Sequence, residues 1–173
     1  MTPTIHLGHG ASGTAASMAP FVAGLERRGI RSLAVGLPRR RAEEAVAAWR
    51  AAVPAGPGTA VGGHSYGGRV ASLAAAESGT GYGALVLFSY PLHPPGAPER
   101  TEGRIAHWPR IACPVLLLSG ESDPFAQIGL LRAAVGLLPD ARLVTYPRLG
   151  HTLRPVLDDV LDRTAAFLRQ IGP

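Results

Sequence analysis

Two stretches of the chain, Leu85-Val86-Leu87-Phe88 and Val115-Leu116-Leu117-Leu118, are apolar at every position. A strand with one wet face alternates apolar and polar residues, whereas an unbroken apolar run suits a strand covered on both faces. Comparable strand-like runs fall near 4–8, 30–36, 59–63, 84–89, 114–119 and 141–146. Between them lie helix-like stretches near 15–28, 40–52, 67–78, 124–137 and 155–169. Strands alternating with helices build βαβ units, right-handed crossovers and a parallel sheet with helices on both faces. No internal repeat and no linker interrupts this order, so residues 1–173 read as one three-layer α/β domain. The longest irregular stretch, 90–112, carries Pro91, Pro94, Pro95, Pro98 and Pro109. Long loops in compact domains are often functional, and parallel sheets bind ligands beyond their C-terminal strand ends, where this loop begins.

Composition narrows the function classes. Hydrophobic residues make up 46% of the 173, enough for a full-sized core and too many for a disordered tail. No apolar run approaches the roughly 18 residues of a membrane span, and MTPTIHLGHG lacks the basic and apolar regions of a signal peptide. A single cysteine, Cys113, excludes an intrachain disulfide framework and a multi-cysteine metal site, and reads as a small buried residue. A cytoplasmic protein with no membrane partner is the expectation. The net charge of +5 includes 17 basic residues, all of them arginine. These occur in small groups, Arg27-Arg28 and Arg39-Arg40-Arg41, and otherwise singly, with no groove-reading motif beside them. No nucleic-acid partner is therefore expected.

The most specific local signal is Gly63-His64-Ser65-Tyr66-Gly67, a G-x-S-x-G set between a strand-like and a helix-like segment. A nucleophile elbow of this kind strains the backbone at Ser65 and lifts its hydroxyl above the sheet edge. Gly63 and Gly67 avoid collisions across the turn, and Gly68 lets the helix approach closely. A serine hydroxyl needs a base, and the base needs an orienting acid. Asp123 stands just past the strand-like VLLLSG, and His151 follows the last strand-like run. Glu121 is an alternative acid, though the spacing from the strand end favours Asp123. Asp123 alone fits a helix cap, and His151 alone fits a surface loop. Their joint placement at strand ends, with Ser65 at a third, makes the catalytic case.

The loop Gly8-His9-Gly10-Ala11-Ser12-Gly13 fits two descriptions by itself: the dinucleotide fingerprint G-x-G-x-x-G, or a loop offering a backbone N–H to an oxyanion. The HGA loop, GGHSYGGR, SYPLHPPGAPE, CPVLLLSGESDPF and the late GH together resemble small α/β-hydrolases of the dienelactone-hydrolase-like group. The chain is most similar to short bacterial members related to a testis-expressed animal protein and to a subunit of the animal nonspecific-lethal acetyltransferase complex. The resemblance runs over nearly the whole chain. It implies a mostly parallel sheet, no cap domain, and Ser65, Asp123 and His151 as the triad. The first two strands of the full fold are expected to be absent, leaving an edge that a second copy can cover in a homodimer. In such hydrolases the loop after the third strand and the residue after the nucleophile supply the oxyanion donors, here the backbone N–H groups of Ala11 and Tyr66. The dinucleotide description expects an acid about 20 residues beyond the glycines. RSLAVGL runs instead into Pro38 and Arg39-Arg40-Arg41, which suits a 2′-phosphate but leaves Ser65, Asp123 and His151 unexplained. GHGASG is read as an oxyanion loop, with His9 structural or orienting.

These residues predict a serine hydrolase that cleaves a small carboxylic ester or thioester through an acyl-enzyme on Ser65, with no cofactor and no metal. The expected partner is a small-molecule ester-like substrate, and the absence of a cap favours a small acyl group. His6 reads as strand packing or surface, and His64 as the variable elbow position. The 90–112 loop is expected to wall the pocket through Tyr90, Leu92, His93, His107 and Trp108. His93 and Trp108 are its candidates for touching substrate, with packing beneath it as the other reading. Arg100, Arg104 and Arg110 suit an anionic substrate or a solvated surface. Acyl transfer to another acceptor is one alternative; a non-catalytic interaction module is the other.

Overall fold

A computed structural model of the chain describes residues 1–171. Six strands form one sheet: β1 (Thr4–Gly8), β2 (Ser32–Val35), β3 (Thr59–His64), β4 (Ala84–Phe88), β5 (Val115–Gly120) and β6 (Ala141–Tyr146). Their order is β2-β1-β3-β4-β5-β6, and every pairing is parallel. Successive side chains of a strand point to opposite faces, so the unbroken apolar runs divide by parity. Leu85, Leu87, Val115 and Leu117 enter one core, and Ala84, Val86, Phe88, Leu116 and Leu118 enter the other.

The first core is closed by α2 (Ala42–Ala52), α3 (Tyr66–Ala75) and α5 (Ile128–Val135), through residues such as Trp49, Val70 and Leu131. The second is closed by α1 (Ala19–Glu26) and α6 (Leu157–Ile171), through Phe21, Leu25, Leu161 and Leu168. Helix α6 follows Pro155 and sets Asp158 and Asp159 in its first turn and Arg169 in its last, each favourable to the helix dipole. The outer strand β2 leaves Leu33 47% exposed.

Three segments differ from the sequence pattern. Residues 15–28 split into a 3-10 turn, Ala15–Met18, and α1, which has a proline in its first turn. Helix α5 begins at Ile128 rather than at Pro124, because Asp123 Oδ1 accepts the Phe125 N–H at 2.8 Å and holds Pro124 in a turn. The 90–112 segment contains α4 (Glu102–Ile105) between two 3-10 turns, Pro98–Arg100 and Trp108–Arg110. It is laced to itself: Tyr90 donates its hydroxyl to the Arg104 carbonyl at 2.6 Å, and Arg104 Nη1 donates to the Pro91 carbonyl at 3.0 Å. Among the described residues no helix is long and apolar enough to cross a membrane. None of their His, Cys, Asp and Glu side chains gather in a group suited to a metal ion.

Candidate active site

The parallel sheet directs the C-terminal ends of β1, β3, β5 and β6 toward one edge, where four loops meet. At the end of β3 the chain turns into α3 through Ser65, whose φ of 51° and ψ of −114° are unusual for a residue with a Cβ. Such strain costs on the order of 1–3 kcal/mol and persists only where the surroundings fix it. The Ser65 N–H donates to the Phe88 carbonyl at 2.9 Å. Beside it three backbones cross with no room for side chains. A Cβ on Gly67 would lie 2.2 Å from the Gly8 carbonyl carbon, and one on Gly63 would lie 2.4 Å from the Gly8 oxygen. The elbow glycines therefore seat α3 directly on β1.

In the loop after β6, His151 sets Nε2 2.9 Å from Ser65 Oγ and Nδ1 2.8 Å from Asp123 Oδ2. The Asp123 side chain has no solvent exposure. With a carboxylate at Nδ1, a neutral His151 carries its proton there, and Nε2 presents a lone pair to the Ser65 hydroxyl. The loops that carry Asp123 and His151 are tied by their backbones: the Glu121 N–H donates to Tyr146 O at 3.0 Å, and the Ser122 N–H donates to Leu149 O at 2.9 Å. Glu121 itself turns away and accepts from Thr145 and Arg132.

His9 is buried in the loop after β1. It donates Nδ1–H to the Gly10 carbonyl at 2.8 Å and accepts the Leu37 N–H at Nε2 at 3.0 Å. The Gly13 N–H donates to the same Gly10 oxygen at 3.0 Å, so that carbonyl is occupied within the loop. The Ala11 N–H has no backbone acceptor among the described residues. Tyr66 opens α3, and its N–H is one of the first-turn amides without an intrahelical partner. A pocket of about 400 Å³ opens over Ser65, with Met18, Phe21, Phe125 and Leu153 as apolar lining and Ser12, Thr152 and Arg154 among the polar lining.

Two residues escaped the sequence reading. His64 is not a free elbow position. Its Nε2–H donates to the His151 carbonyl at 3.1 Å, and its Nδ1 faces Gly10, where a Cβ would come within 3.1 Å. Burial pushes its imidazole below the ordinary histidine pKa. Phe125, two residues beyond Asp123, lays its ring 4.4 Å from that of His151.

His93 and Trp108, expected as substrate contacts, do not line this pocket. Trp108 has no exposed surface and packs edge-on against Tyr90 at 5.1 Å. His93 donates Nδ1–H to the Pro94 carbonyl at 2.8 Å and accepts the Gln127 N–H at Nε2 at 3.1 Å. It straps the 90–112 segment to the loop after Asp123. His107 bonds Ser72 at 2.8 Å and is pushed down to about 4 by burial and by the charges of Arg69 and Arg110. The segment does not wall the pocket over Ser65 because its large side chains fill the layer against α3 and the loop after Asp123.

Residues 3–167 match the family model described as "Alpha/beta hydrolase domain". The fold is similar to a monoacylglycerol lipase of Paleococcus ferrophilus, with TM-score 0.84 and 14% identity over 99% of this chain and 96% of that one. It is similar to an esterase of Pyrococcus furiosus, with TM-score 0.80 and 17% identity over 99% and 83% of the two chains. It is also similar to Est1E of Butyrivibrio proteoclasticus with bound ferulic acid, with TM-score 0.79 and 17% identity over 97% and 88%. No curated protein matches the chain. At these identities the structures speak to the fold, and the family match spans nearly the whole chain: the protein belongs to the alpha/beta hydrolase domain family.

Proposed function

We propose that the protein is a serine hydrolase of a small carboxylic ester or thioester, a single-domain member (residues 1–173) of the dienelactone-hydrolase-like group. The observation that carries this reading is the hydrogen-bonded chain from Ser65 Oγ through His151 to the buried Asp123. In the proposed cycle Ser65 attacks the ester carbonyl while His151 Nε2 takes its proton. Asp123 holds the imidazole tautomer and stabilises the imidazolium. The backbone N–H groups of Ala11 and Tyr66 receive the developing oxyanion, where losing one donor typically costs about 2.7–4 kcal/mol. His151 then protonates the leaving group, and a water activated by the same imidazole releases the acyl group from Ser65. The esterase and lipase names of the structural neighbours agree with this chemistry by analogy.

A pocket of about 400 Å³ lined by Met18 and Phe21 suits a short acyl chain. Turnover of p-nitrophenyl esters should therefore fall from acetate and butyrate toward palmitate, and a steep rise with chain length would reverse that assignment. The reaction class is tested by intact-mass analysis after a fluorophosphonate probe. One adduct is expected on the wild type and none on Ser65→Ala. A folded wild type that takes no adduct would overturn the hydrolase reading in favour of an interaction module.

A further inference from the structure

The triplet Arg39-Arg40-Arg41 and the loop arginines have no part in the ester chemistry, yet the fold gathers several of them. A second cleft of about 640 Å³ is lined by Arg40 and Arg41 after β2, Arg69 on α3, and Arg100 and Arg104 in the segment after β4, with Tyr66 on its wall. Five guanidinium groups there face one carboxylate, Glu43, which is already paired with Arg69. Among the described residues the side chains of Arg40, Arg41 and Arg100 have no hydrogen-bond or ion-pair partner. Arg69 Nε is buried without an acceptor. Burial and the charges of Arg69 and Arg100 push the Arg104 guanidinium below its ordinary value. Like charges held this close repel, and a bound anion would relieve that repulsion.

The frame of the cleft is fixed without a ligand. Tyr66 donates its hydroxyl to the Pro38 carbonyl at 2.8 Å, and Tyr90 and Pro91 hold Arg104 from two sides. We propose that this cleft binds a small, multiply charged phosphate group. Guanidinium forks meet phosphate oxygens in pairs, and the volume lies within the roughly 300–1,000 Å³ of small-ligand sites. The arginines ring a cleft rather than track a stripe, which favours a compact anion over a nucleic-acid backbone. Helix α3 joins the cleft to the proposed catalytic centre: the Arg69 N–H donates to the Ser65 carbonyl at 3.0 Å, and Tyr66 contributes its ring to the cleft. The phosphate is either an arm of the substrate or part of a separate phosphorylated metabolite.

Isothermal titration with inorganic pyrophosphate at constant ionic strength tests the site. Saturable one-to-one binding is expected for the wild type. Arg40→Gln combined with Arg100→Gln should weaken it by about tenfold or more, and Arg41→Gln alone should give a smaller loss in the same direction. Arg27→Gln with Arg31→Gln removes as much charge from exposed positions outside the cleft and should leave affinity unchanged. Thermal melts of each variant report whether it is folded. Turnover of p-nitrophenyl esters separates the two sources. A p-nitrophenyl ester carrying a phosphate arm that shows a lower KM than the neutral ester, an advantage lost in the Arg40→Gln, Arg100→Gln variant, marks a substrate arm. Pyrophosphate that alters turnover of the neutral ester marks a separate effector. Absence of saturable binding, equal losses in the two double variants, or tighter binding of duplex DNA through the same arginines would overturn the proposal. The titration needs no turnover, so an idle Ser65 would not alter its result.

Discussion

His151 is held from three sides, by Asp123 at Nδ1, by the Phe125 ring at 4.4 Å and by His64 at its own carbonyl oxygen. Each contact governs a different property. In the proposed cycle Asp123 selects the tautomer, so Asp123→Asn should leave the fold intact and lower kcat by about 10⁴-fold. A variant that kept a tenth of the wild-type rate would remove Asp123 from that role. In the same cycle the bond from His64 to the His151 carbonyl would set where the imidazole sits. His64→Phe fills the same space but withdraws the donor from the His151 carbonyl, an orphaning worth about 1–3 kcal/mol. The base loop then shifts relative to Ser65, and kcat should fall by about ten- to a hundredfold with KM little changed. His64→Gln keeps an N–H donor and should recover part of the rate. If Phe and Gln behave alike in steady-state kinetics, the hydrogen bond is not what positions the base.

Between the elements, the seat of α3 on β1 depends on the missing side chains of Gly8, Gly63 and Gly67. A methyl group at Gly67 would have to occupy backbone of β1. Gly67→Ala should therefore cost at least about 3 kcal/mol, read as a lowered urea midpoint, or should prevent folding. Gly129 in α5 is the contrasting case, with nothing within 4 Å of a built Cβ and no positive φ. Gly129→Ala should raise stability by about 0.5–1 kcal/mol. These elements were legible to different degrees. The β4 and β5 runs announced strands covered on both faces, and the end of β5 located Asp123, while the G-x-S-x-G after β3 located the elbow at Ser65. The start of α5 was not legible, because the Asp123 side chain captures the Phe125 N–H and delays the helix beyond Pro124. His64 gave no local signal, since its partner lies 87 residues away. His93 and Trp108 sit off the pocket for a related reason: a Pro-rich segment at a strand end looks like a pocket wall until the bond of His93 to Gln127 and the packing of Trp108 on Tyr90 are known.

Across the whole molecule, burial holds three histidines below their ordinary pKa: His6 on β1, His64 beside His151, and His107 against α3. His107 is displaced furthest, to about 4, with Arg69 and Arg110 adding to the effect of burial. In the unfolded chain a histidine takes its proton near pH 6.5. Between about 6.5 and 4 the unfolded state therefore binds more protons than the folded one, and stability rises with pH across that window. Above it both states are neutral at this site and nothing is lost. As the pH falls through it the protein weakens, by about 2 kcal/mol from His107 alone at pH 5. His6 and His64 act in the same direction. His107→Gln retains a donor for Ser72 but cannot take up a proton, so its stability should change less between pH 7.5 and pH 5 than that of the wild type. Urea midpoints at pH 7.5, 6 and 5 measure this directly. Equal pH slopes for the two proteins would mean that His107 takes up its proton without loosening its attachment to α3. A flatter slope in the variant would tie acid sensitivity to the same layer that holds Arg69 and Arg104 in the arginine cleft.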